Sequence, residues 1–310
     1  MEKPKLICLV GLPASGKSFY AKQLAEQYSA KIYSSDQLRI EMFNDVNECD
    51  RNEELFKELK LRVKSSLSKG ENVIWDSTNI SYKKRKTILE EMRKYNCDNI
   101  CYLIATPYEK CLEQNIHRER KVPEHIIRKM YMNINIPQTY EGFNEINIIY
   151  NTNNMMFDVK ELLYSLDFID QDNQYHTLTI GRHCRKCADN IKNMMYYNKI
   201  VNENCENLYL AGLLHDIGKC FCKSFKNSKG EITENATYYQ HHLVSAYDSL
   251  FYLKDLGVSK DDILEITNLI QWHMRLFNET EKSKKKFISM TSQGFYNDLL
   301  LLHKADINAK

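Results

Sequence analysis

The sequence feature that most restricts the fold is a glycine-rich turn between an apolar run and a segment of helical character. Residues 6–10 predict a short buried strand, and Gly11, Gly16, Lys17 and Ser18 follow it at the spacing Gly-x-x-x-x-Gly-Lys-Ser. In such a turn, backbone N–H groups and the N-terminus of the next helix attract phosphate oxygens. The lysine can reach the β and γ phosphates, and the serine hydroxyl can hold Mg²⁺. The sequence therefore predicts a site for ATP and Mg²⁺.

Up to about residue 150, short apolar runs alternate with amphipathic stretches of helical length. This alternation predicts an α/β domain, a parallel sheet with flanking helices, which we expect to span residues 1–168. The predicted strands lie at 6–10, 31–33, 72–75, 100–104 and 147–150, and the predicted helices lie near 17–28, 53–69, 81–95, 107–120 and 158–166.

The second half of the chain has a different pattern. Residues 167–175 are polar and mark a candidate domain boundary, after which the strand signals fade. Helical spacing follows at 182–197, 206–217, 241–256, 260–276 and 295–306. We therefore expect an all-α second domain that spans residues 174–310.

Charged residues after the second and third predicted strands narrow the chemistry of the first domain. Asp36 could accept a proton from an attacking hydroxyl, and Arg39 could pair with a substrate phosphate. Taken alone, this pair is more typical of a helix N-cap and a surface charge. Asp76 follows the third strand, where it could face the magnesium ion or have a structural role at the strand end.

A basic segment at 115–123 precedes a proline that can start a helix. Its cations Arg118, Arg120 and Lys121 could fold over ATP as a lid and neutralise charge at the γ-phosphate. The alternative is a solvated basic helix end.

Together these elements resemble the kinase domain of the 5′-OH polynucleotide kinases over roughly residues 5–150. The shared motifs are Gly-Leu-Pro-Ala-Ser-Gly-Lys-Ser at 11–18, Ser-Asp-x-x-Arg at 35–39, Asp-Ser-Thr-Asn at 76–79 and the arginine-rich stretch that ends in Val-Pro at 122–123. The resemblance implies that Asp36 is the general base and that Lys17 acts in catalysis. It implies contacts to ATP from Gly11, Ser15, Gly16, Lys17, Ser18, Arg118, Arg120 and Lys121, and contacts to the acceptor from Arg39, Asp76 and Asn79. The same motifs also occur in other small P-loop kinases.

The second half carries a set of residues of the types that bind metals. They are His183, His215, Asp216, His241 or His242, His273 and Asp306. Helices from distant sequence positions can point such residues into a shared bundle core. Imidazole and carboxylate ligands suit Mn, Fe, Co, Ni or Zn better than Mg alone. A lone histidine is more often a core residue, but the His-Asp doublet inside Leu-Leu-His-Asp-Ile-Gly-Lys at 213–219 favours a metal site.

This half resembles the HD phosphohydrolase superfamily over about residues 174–308. The resemblance implies a first metal site of His183, His215, Asp216 and Asp306, and a second that adds His241 and His273 with Asp216 bridging. The first histidine of the His241-His242 pair aligns with the family pattern. Lys219 would balance the negative charge of the substrate, and His176 could face the substrate or be a surface histidine.

A kinase beside a phosphatase is useful when each acts on a different end of a broken strand. Our leading hypothesis is an RNA or DNA end-healing enzyme that phosphorylates a 5′-OH and hydrolyses a 2′,3′-cyclic phosphate or a 2′/3′-phosphate, with an RNA ligase acting downstream. In the similar bifunctional bacterial enzymes the HD domain comes first, whereas here it comes second. The alternatives are a small-metabolite kinase fused to an HD nucleotidase and a non-catalytic nucleotide-sensing switch.

The composition agrees with this hypothesis and adds an expected location. The net charge of +2 does not by itself indicate nucleic-acid binding, although local basic clusters could contact phosphates. Ten scattered cysteines fit a reducing cytoplasm, and we expect neither a membrane span nor a signal peptide.

Overall fold

The computed structural model describes residues 2–48, 50–174, 177–198 and 205–310. The chain divides into two compact units, Met1–Asn153 and Asn154–Lys310. This division differs from the expected boundary near residue 168, because the predicted helix at 158–166 belongs to the second unit. In the second unit, Gly181 packs closely against this helix, because a Cβ added to Gly181 would lie 2.4 Å from the Leu163 carbonyl oxygen.

The described residues of the first unit form a five-stranded parallel sheet flanked by helices, as predicted. The strand order is β2-β3-β1-β4-β5. The strands are β1 Lys5–Val10, β2 Lys31–Ser34, β3 Val73–Asp76, β4 Asp98–Ala105 and β5 Glu145–Tyr150. The helices are α1 Lys17–Tyr28, α2 Ser35–Phe43, α3 Asn52–Ser68, α4 Tyr82–Met92, α5 Tyr108–Ile116 and α6 Glu124–Tyr131. Helices α2 and α6 lie outside the predicted set, and the predicted helix at 107–120 ends at Ile116.

The central strand and the order of the sheet bring the predicted phosphate-binding residues to one edge. Residues 6–10 of the central strand β1 are all buried, as expected for a parallel strand covered on both faces. In the register of β2 with β3, Ser34 pairs with Asp76 at the carboxyl ends of the two strands. Because β1 ends at the same edge, the Gly11–Gly16 turn, the start of α2 and Asp76 all meet there.

The second unit is helical, as predicted, apart from one short hairpin. Its helices are α7 Val159–Leu166, α8 Ile180–Asn198, α9 Cys205–Leu214, α10 Lys219–Cys222, α11 His241–Asp255, α12 Lys260–Trp272, α13 Glu281–Met290 and α14 Gln293–Ile307. A 3₁₀ helix, His273–Asn278, follows α12. The hairpin pairs β6 Ser224–Lys226 with β7 Ile232–Thr237. Its strands are short, polar and largely exposed, so they lack the apolar alternation by which a strand is predicted. None of the described helices is both long and apolar enough to cross a membrane.

Candidate active sites

The phosphate-binding turn lies between β1 and α1. A Cβ added to Gly11 would lie 2.8 Å from Ser15 Oγ and 2.9 Å from the Ile104 carbonyl oxygen, so the backbone passes too closely for any side chain. Gly16 has a φ of +94°, a conformation that favours glycine. Ser15 Oγ is buried and has no hydrogen-bond partner among the described residues. The turn therefore has the backbone shape that its spacing predicts, and Ser15 places an unsatisfied hydroxyl inside it.

Lys17 extends back along this turn. Its Nζ donates to the carbonyl oxygens of Gly11 at 3.1 Å and Leu12 at 2.6 Å. Burial lowers the pKa of Lys17, and the charge of Asp76 opposes that shift. An amine held there, in a partly desolvated setting, can make strong contacts with anionic phosphate oxygens.

Ser18 and Asp76 form the oxygen pair that the sequence predicts for Mg²⁺. Ser18 Oγ donates to Asp76 Oδ2 at 3.2 Å, and Asp76 is buried at the end of β3. Burial raises the pKa of Asp76, while the nearby Lys17 charge lowers it. A hydroxyl and a carboxylate beside a phosphate turn are hard oxygen donors, which suit Mg²⁺.

Asn79 lies at the same edge, but both polar groups of its amide are bonded within the protein. Its Nδ2 donates to the Leu9 carbonyl oxygen at 2.8 Å, and its Oδ1 accepts from Ser77 Oγ at 2.7 Å. The structure therefore gives Asn79 a part in holding the end of β1, whereas the resemblance implied a contact with the acceptor.

Asp36 lies in the first turn of α2 between two arginines. Asp36 Oδ1 accepts from Arg39 Nη1 at 3.3 Å and lies 2.5 Å from Arg120 Nη1. The Asp36 side chain is 41% exposed, whereas that of Arg39 is 7% exposed. The N-cap of α2 is Ser34, whose hydroxyl accepts from the Asp36 N–H, so the capping alternative for Asp36 does not hold. A partly exposed carboxylate with two cations suits a base that acts on a phosphate-bearing acceptor.

The basic segment forms a loop closed by one asparagine. Asn115 Oδ1 accepts from the Val122 N–H at 2.9 Å, and its Nδ2 donates to the Val122 carbonyl oxygen at 2.8 Å. Within this loop Arg120 reaches Asp36, and Arg118 is close enough to Lys17 to contribute to lowering its pKa. Lys121 is exposed. The structure thus brings two of the three predicted lid cations to the site.

Sequence reasoning missed several residues that support this site. Asn52 Oδ1 accepts from Arg39 Nη2 at 2.7 Å, which fixes the guanidinium from the side opposite Asp36. The Ser15 carbonyl oxygen accepts from Thr106 Oγ1 at 2.8 Å and from Asn151 Nδ2 at 3.2 Å. Thr106 and Asn151 directly follow β4 and β5. Their positions at the ends of predicted strands were the sequence signal by which they could have been found.

The second unit brings the predicted metal ligands together in two groups that share Asp216. The first group is His183, His215, Asp216 and Asp306, and the second is Asp216, His241 and His273. His183 Nε2 lies 3.1 Å from both Asp216 Oδ2 and Asp306 Oδ1. His241 Nε2 lies 3.1 Å from Asp216 Oδ1. All six residues are buried, and they come from α8, the end of α9, α11, the segment after α12, and α14.

Each of the four histidines is oriented through its other ring nitrogen. The Nδ1 atoms of His183, His215, His241 and His273 lie 2.7–2.9 Å from the carbonyl oxygens of Ala309, Gly212, Tyr238 and Ile270. A carbonyl can only accept, so Nδ1 carries a proton and Nε2 is the nitrogen that faces the cluster and could bind an ion. This is the arrangement that metal-ligating histidines usually have.

The donor chemistry fits divalent ions. The Nε2 atoms of His183 and His215 lie 3.2 Å apart, as do those of His241 and His273. Two ligand atoms each about 2.1 Å from one ion would be roughly 3.0–3.4 Å apart at tetrahedral or octahedral angles. Asp216 Oδ1 has no hydrogen-bond partner among the described residues. Each pair therefore has ligand spacing, and Asp216 offers one oxygen to each group.

The electrostatics of the cluster favour an ionised Asp216 and a neutral His273. Burial lowers the pKa of His183 and His215, but the neighbouring Asp216 and Asp306 carboxylates outweigh it and raise both pKa values, so a metal ion would displace a proton from each. Burial raises the pKa of Asp216, but the charges of His215 and Lys219 outweigh it and hold that pKa well below its usual range. Burial and the neighbouring His215 and His241 hold the pKa of His273 well below its usual range. A carboxylate and a neutral imidazole are the forms that bind metals.

His242 lies beside the cluster but is not part of it. The two rings are 5.8 Å apart, and only His241 belongs to the cluster. Burial and the charge of His241 lower the pKa of His242 to about 3. The structure therefore places the first histidine of the pair at the site.

Lys219 is held against the cluster by a residue that the sequence analysis did not identify. Its Nζ lies 2.6 Å from Asp216 Oδ2 and donates to Gln171 Oε1 at 2.7 Å. Gln171 is itself buried, and its backbone carbonyl accepts from Tyr238 Oη at 2.5 Å. The other predicted substrate contact, His176, lies outside the described residues.

Two family models match the chain, one in each half. Residues 6–137 match the model described as an AAA domain, and residues 173–304 match the model described as an HD domain. The chain therefore carries a P-loop kinase domain followed by an HD domain, which confirms the predicted combination. Both are enzyme domains, and HD domains bind divalent metals.

Among characterised proteins, the L-seryl-tRNA(Sec) kinase of Methanococcus maripaludis is 27% identical over 173 residues. That match includes 54% of this chain and 66% of the relative, so the chain spans just under two thirds of its length.

Solved structures similar to this chain include the Pnkp1/Rnl/Hen1 RNA repair complex, at 24% identity and a TM-score of 0.36, covering 42% of this chain and 43% of that one. They also include a fungal RNA kinase, at 10% identity and a TM-score of 0.38, covering 69% and 50%. The APS kinase of Mycobacterium tuberculosis is 17% identical at a TM-score of 0.35, covering 48% and 90%.

Proposed function

We propose that this protein heals broken nucleic-acid ends: an ATP-dependent kinase phosphorylates a 5′-OH, and the HD domain removes a 2′,3′-cyclic phosphate or a 2′/3′-phosphate. One observation carries the proposal for the kinase. Asp36, the candidate base beside the phosphate turn, is flanked by the guanidinium groups of Arg39 and Arg120. A terminal 5′-OH nucleotide has its next phosphate close by, so it presents both a hydroxyl for the carboxylate and an anion for an arginine.

In the kinase reaction, Asp36 accepts the proton of the 5′-OH as its oxygen bonds to the γ-phosphorus, and the bond to the ADP oxygen breaks. Lys17 and the backbone N–H groups of the turn hold the phosphates, and Arg118 and Arg120 neutralise the charge that develops there. Magnesium, held by Ser18 with Asp76 nearby, supplies further neutralisation of the phosphates when bound. Arg39, fixed by Asn52, positions the acceptor phosphate.

In the HD domain, the two groups that share Asp216 would hold one or two divalent ions of the Mn, Ni, Co, Fe or Zn type. Such ions polarise a phosphoryl oxygen and lower the pKa of a bound water. Lys219, held by Asp216 and Gln171, would place a positive charge beside the phosphate of the substrate.

The pairing of the two domains supports action on two different ends. Adding and removing a phosphate at one position would waste ATP, whereas a 5′-OH and a cyclic phosphate arise together when RNA is cleaved. The products, a 5′-phosphate and a 3′-hydroxyl, are the ends that a ligase requires, so an RNA ligase is the partner we propose. Nine free cysteines among the described residues support our placement of the reaction in the cytoplasm.

A second candidate is a kinase whose hydroxyl acceptor is not a strand end, such as a small metabolite, joined to an HD nucleotidase, and one observation favours an acceptor of that kind. The Methanococcus relative is named for an L-seryl-tRNA substrate rather than for a strand end. In this case Arg39 would pair with a different anionic group.

One experiment separates these candidates. The protein is incubated with γ-labelled ATP, Mg²⁺, Mn²⁺ and an RNA that has a 5′-OH and a 2′,3′-cyclic phosphate, and both ends of the product are identified. We expect a labelled 5′-phosphate and a free 3′ end, and parallel reactions with DNA ends report the strand preference. The absence of label on the RNA, with ATP consumed on a small hydroxyl acceptor, would favour the second candidate.

A further inference from the structure

Helix α13 has an exposed face rich in lysine. Lys282, Lys285 and Lys286 are exposed and lie within about 100° of one another around the helix axis. Phe287, on the opposite side, is buried against the rest of the unit. The helix therefore presents three cations to solvent from one side while its apolar side is occupied.

Among the described residues none of these three amines has an ion-pair partner, whereas Lys60 and Lys64 of α3 share Glu91 at 2.6 and 2.8 Å. Helix α13 carries four lysines and one acidic residue, Glu281, so it has a local positive potential although the net charge of the whole chain is only +2. Such a potential attracts a polyanion.

The lysine face is fixed relative to the metal cluster through Arg275. Arg275 Nη2 donates to the Ser283 carbonyl oxygen at 2.8 Å, and its guanidinium lies 4.2 Å from the centre of the Phe287 ring. Arg275 belongs to the 3₁₀ helix that begins with His273, a member of the second ligand group. One hydrogen bond therefore joins the first turn of α13 to the segment that supplies a candidate ligand.

Phe277, on the same 3₁₀ helix as Arg275, presents an exposed aromatic ring. Phe277 is 48% exposed, and its ring centre lies 4.6 Å from that of His303 in an edge-on arrangement. His303 is three residues before Asp306, nearly one turn of α14. An exposed aromatic ring can stack with a nucleobase of a single strand.

We propose that Phe277, Lys282, Lys285 and Lys286 form a surface that binds the single-stranded end of a nucleic acid whose terminal phosphate enters the His/Asp cluster. This inference rests on the proposed function. A membrane surface is a poorer fit, because a membrane-binding helix exposes its apolar side and that of α13 is buried. Lysines for phosphates and an aromatic ring for a base are the two features that single-strand binding requires.

The test measures fluorescence anisotropy of a short single-stranded RNA with a 3′-phosphate and a blocked 5′ end, bound to the full chain. We expect the Lys282→Glu/Lys286→Glu variant to bind roughly tenfold more weakly at low salt. The slope of log affinity against log salt should fall by about 1.4, since each phosphate contact contributes about 0.7 for single strands. The matched control, Lys229→Glu/Lys260→Glu, changes two exposed lysines by the same charge at the β6–β7 turn and the start of α12, and should stay within about twofold.

A second comparison tests the aromatic contact. The Phe277→Ala variant should lose roughly fivefold or more in affinity for the RNA but bind a strand lacking bases as the parent does. Three results would each overturn the proposal. The first is an equal loss of RNA affinity in the Lys282→Glu/Lys286→Glu variant and in the control variant, and the second is unchanged RNA affinity in the Lys282→Glu/Lys286→Glu variant. The third is binding of phosphatidylserine vesicles instead of RNA. Thermal unfolding of every variant confirms that it is folded. If the lysine variant loses RNA affinity but the parent forms no end-healing product, the proposed function is wrong and the binding surface stands. If the parent forms the product but the lysine variant binds RNA as the parent does, the binding surface is wrong and the proposed function stands.

Discussion

The two candidate active sites differ in how the chain builds them. Most of the phosphate site comes from one continuous segment, residues 11–18, whose backbone makes the binding shape, and its base Asp36 is partly exposed. The metal cluster takes six side chains from five separated segments, and all six are buried. A local motif can therefore be completed by side chains from other elements, whereas a buried cluster requires the whole helical unit to be folded first.

The largest expected effect comes from Asp216, because it belongs to both ligand groups. Asp216→Ala should reduce phosphoesterase activity by about 10³-fold or more and leave kinase activity near the parent level. Metal analysis of the purified protein should show a bound divalent ion in the parent and a loss in the variant. A parent protein without metal would instead favour the nucleotide-sensing switch.

A substitution in the phosphate turn should have the opposite effect on the two activities. Lys17→Met removes the amine that holds the phosphates, so kinase activity should fall by roughly 10²–10³-fold while phosphoesterase activity is retained. Both activities are assayed on the same preparation. If either this variant or Asp216→Ala loses both activities while remaining folded, then the two sites are coupled and the comparison fails.

A substitution in the core of the first unit should lower the unfolding free energy of that unit alone. Arg85 and Glu141 form a buried ion pair in the first unit, with Nη2 and Oε1 at 2.7 Å. Glu141→Gln leaves the arginine charge without its carboxylate, which should cost about 3 kcal/mol. Urea unfolding followed separately through kinase activity and bound metal should show an earlier loss of the kinase alone.

The lid cations provide a finer test of the exposed site. Arg120 contacts Asp36, whereas Lys121, the next residue, is exposed away from it. Arg120→Ala should lower kcat of the kinase by roughly tenfold, about the loss of one charge-assisted hydrogen bond, and Lys121→Ala should change it by less than about twofold. Similar losses in both variants would indicate a general electrostatic effect.

The smallest expected effect concerns the neighbour of a ligand. His242→Asn should keep at least about half of the phosphoesterase activity, whereas His241→Asn should behave like a ligand loss. Bound metal in the two variants is the second measurement. A stronger loss in the His242 variant would reverse the assignment.

Much of the fold and of both sites could be predicted from the sequence. The five strands and the phosphate turn follow from periodicity and motif spacing, which depend on neighbours along the chain. The candidate metal ligands followed from the His-Asp doublet and from the resemblance to the HD phosphohydrolases. The hairpin Ser224–Lys226 with Ile232–Thr237 could not be predicted, since its strands are polar and exposed. Helix α2 was missed because two of its three buried residues, Ser35 and Arg39, are polar, so the sequence lacks the apolar stripe by which a helix is predicted.

By itself the sequence determined the backbone of the phosphate turn, because glycine positions and strand–helix order act locally. It also determined which histidines and aspartates were available for a metal. Only the tertiary structure decided that Arg120 reaches Asp36, that Asn79 supports β1, that Gln171 holds Lys219, and that His241 rather than His242 enters the cluster. The physical reason is that these contacts join residues whose approach depends on how distant elements pack, and side-chain direction on a helix is settled only by what the helix packs against.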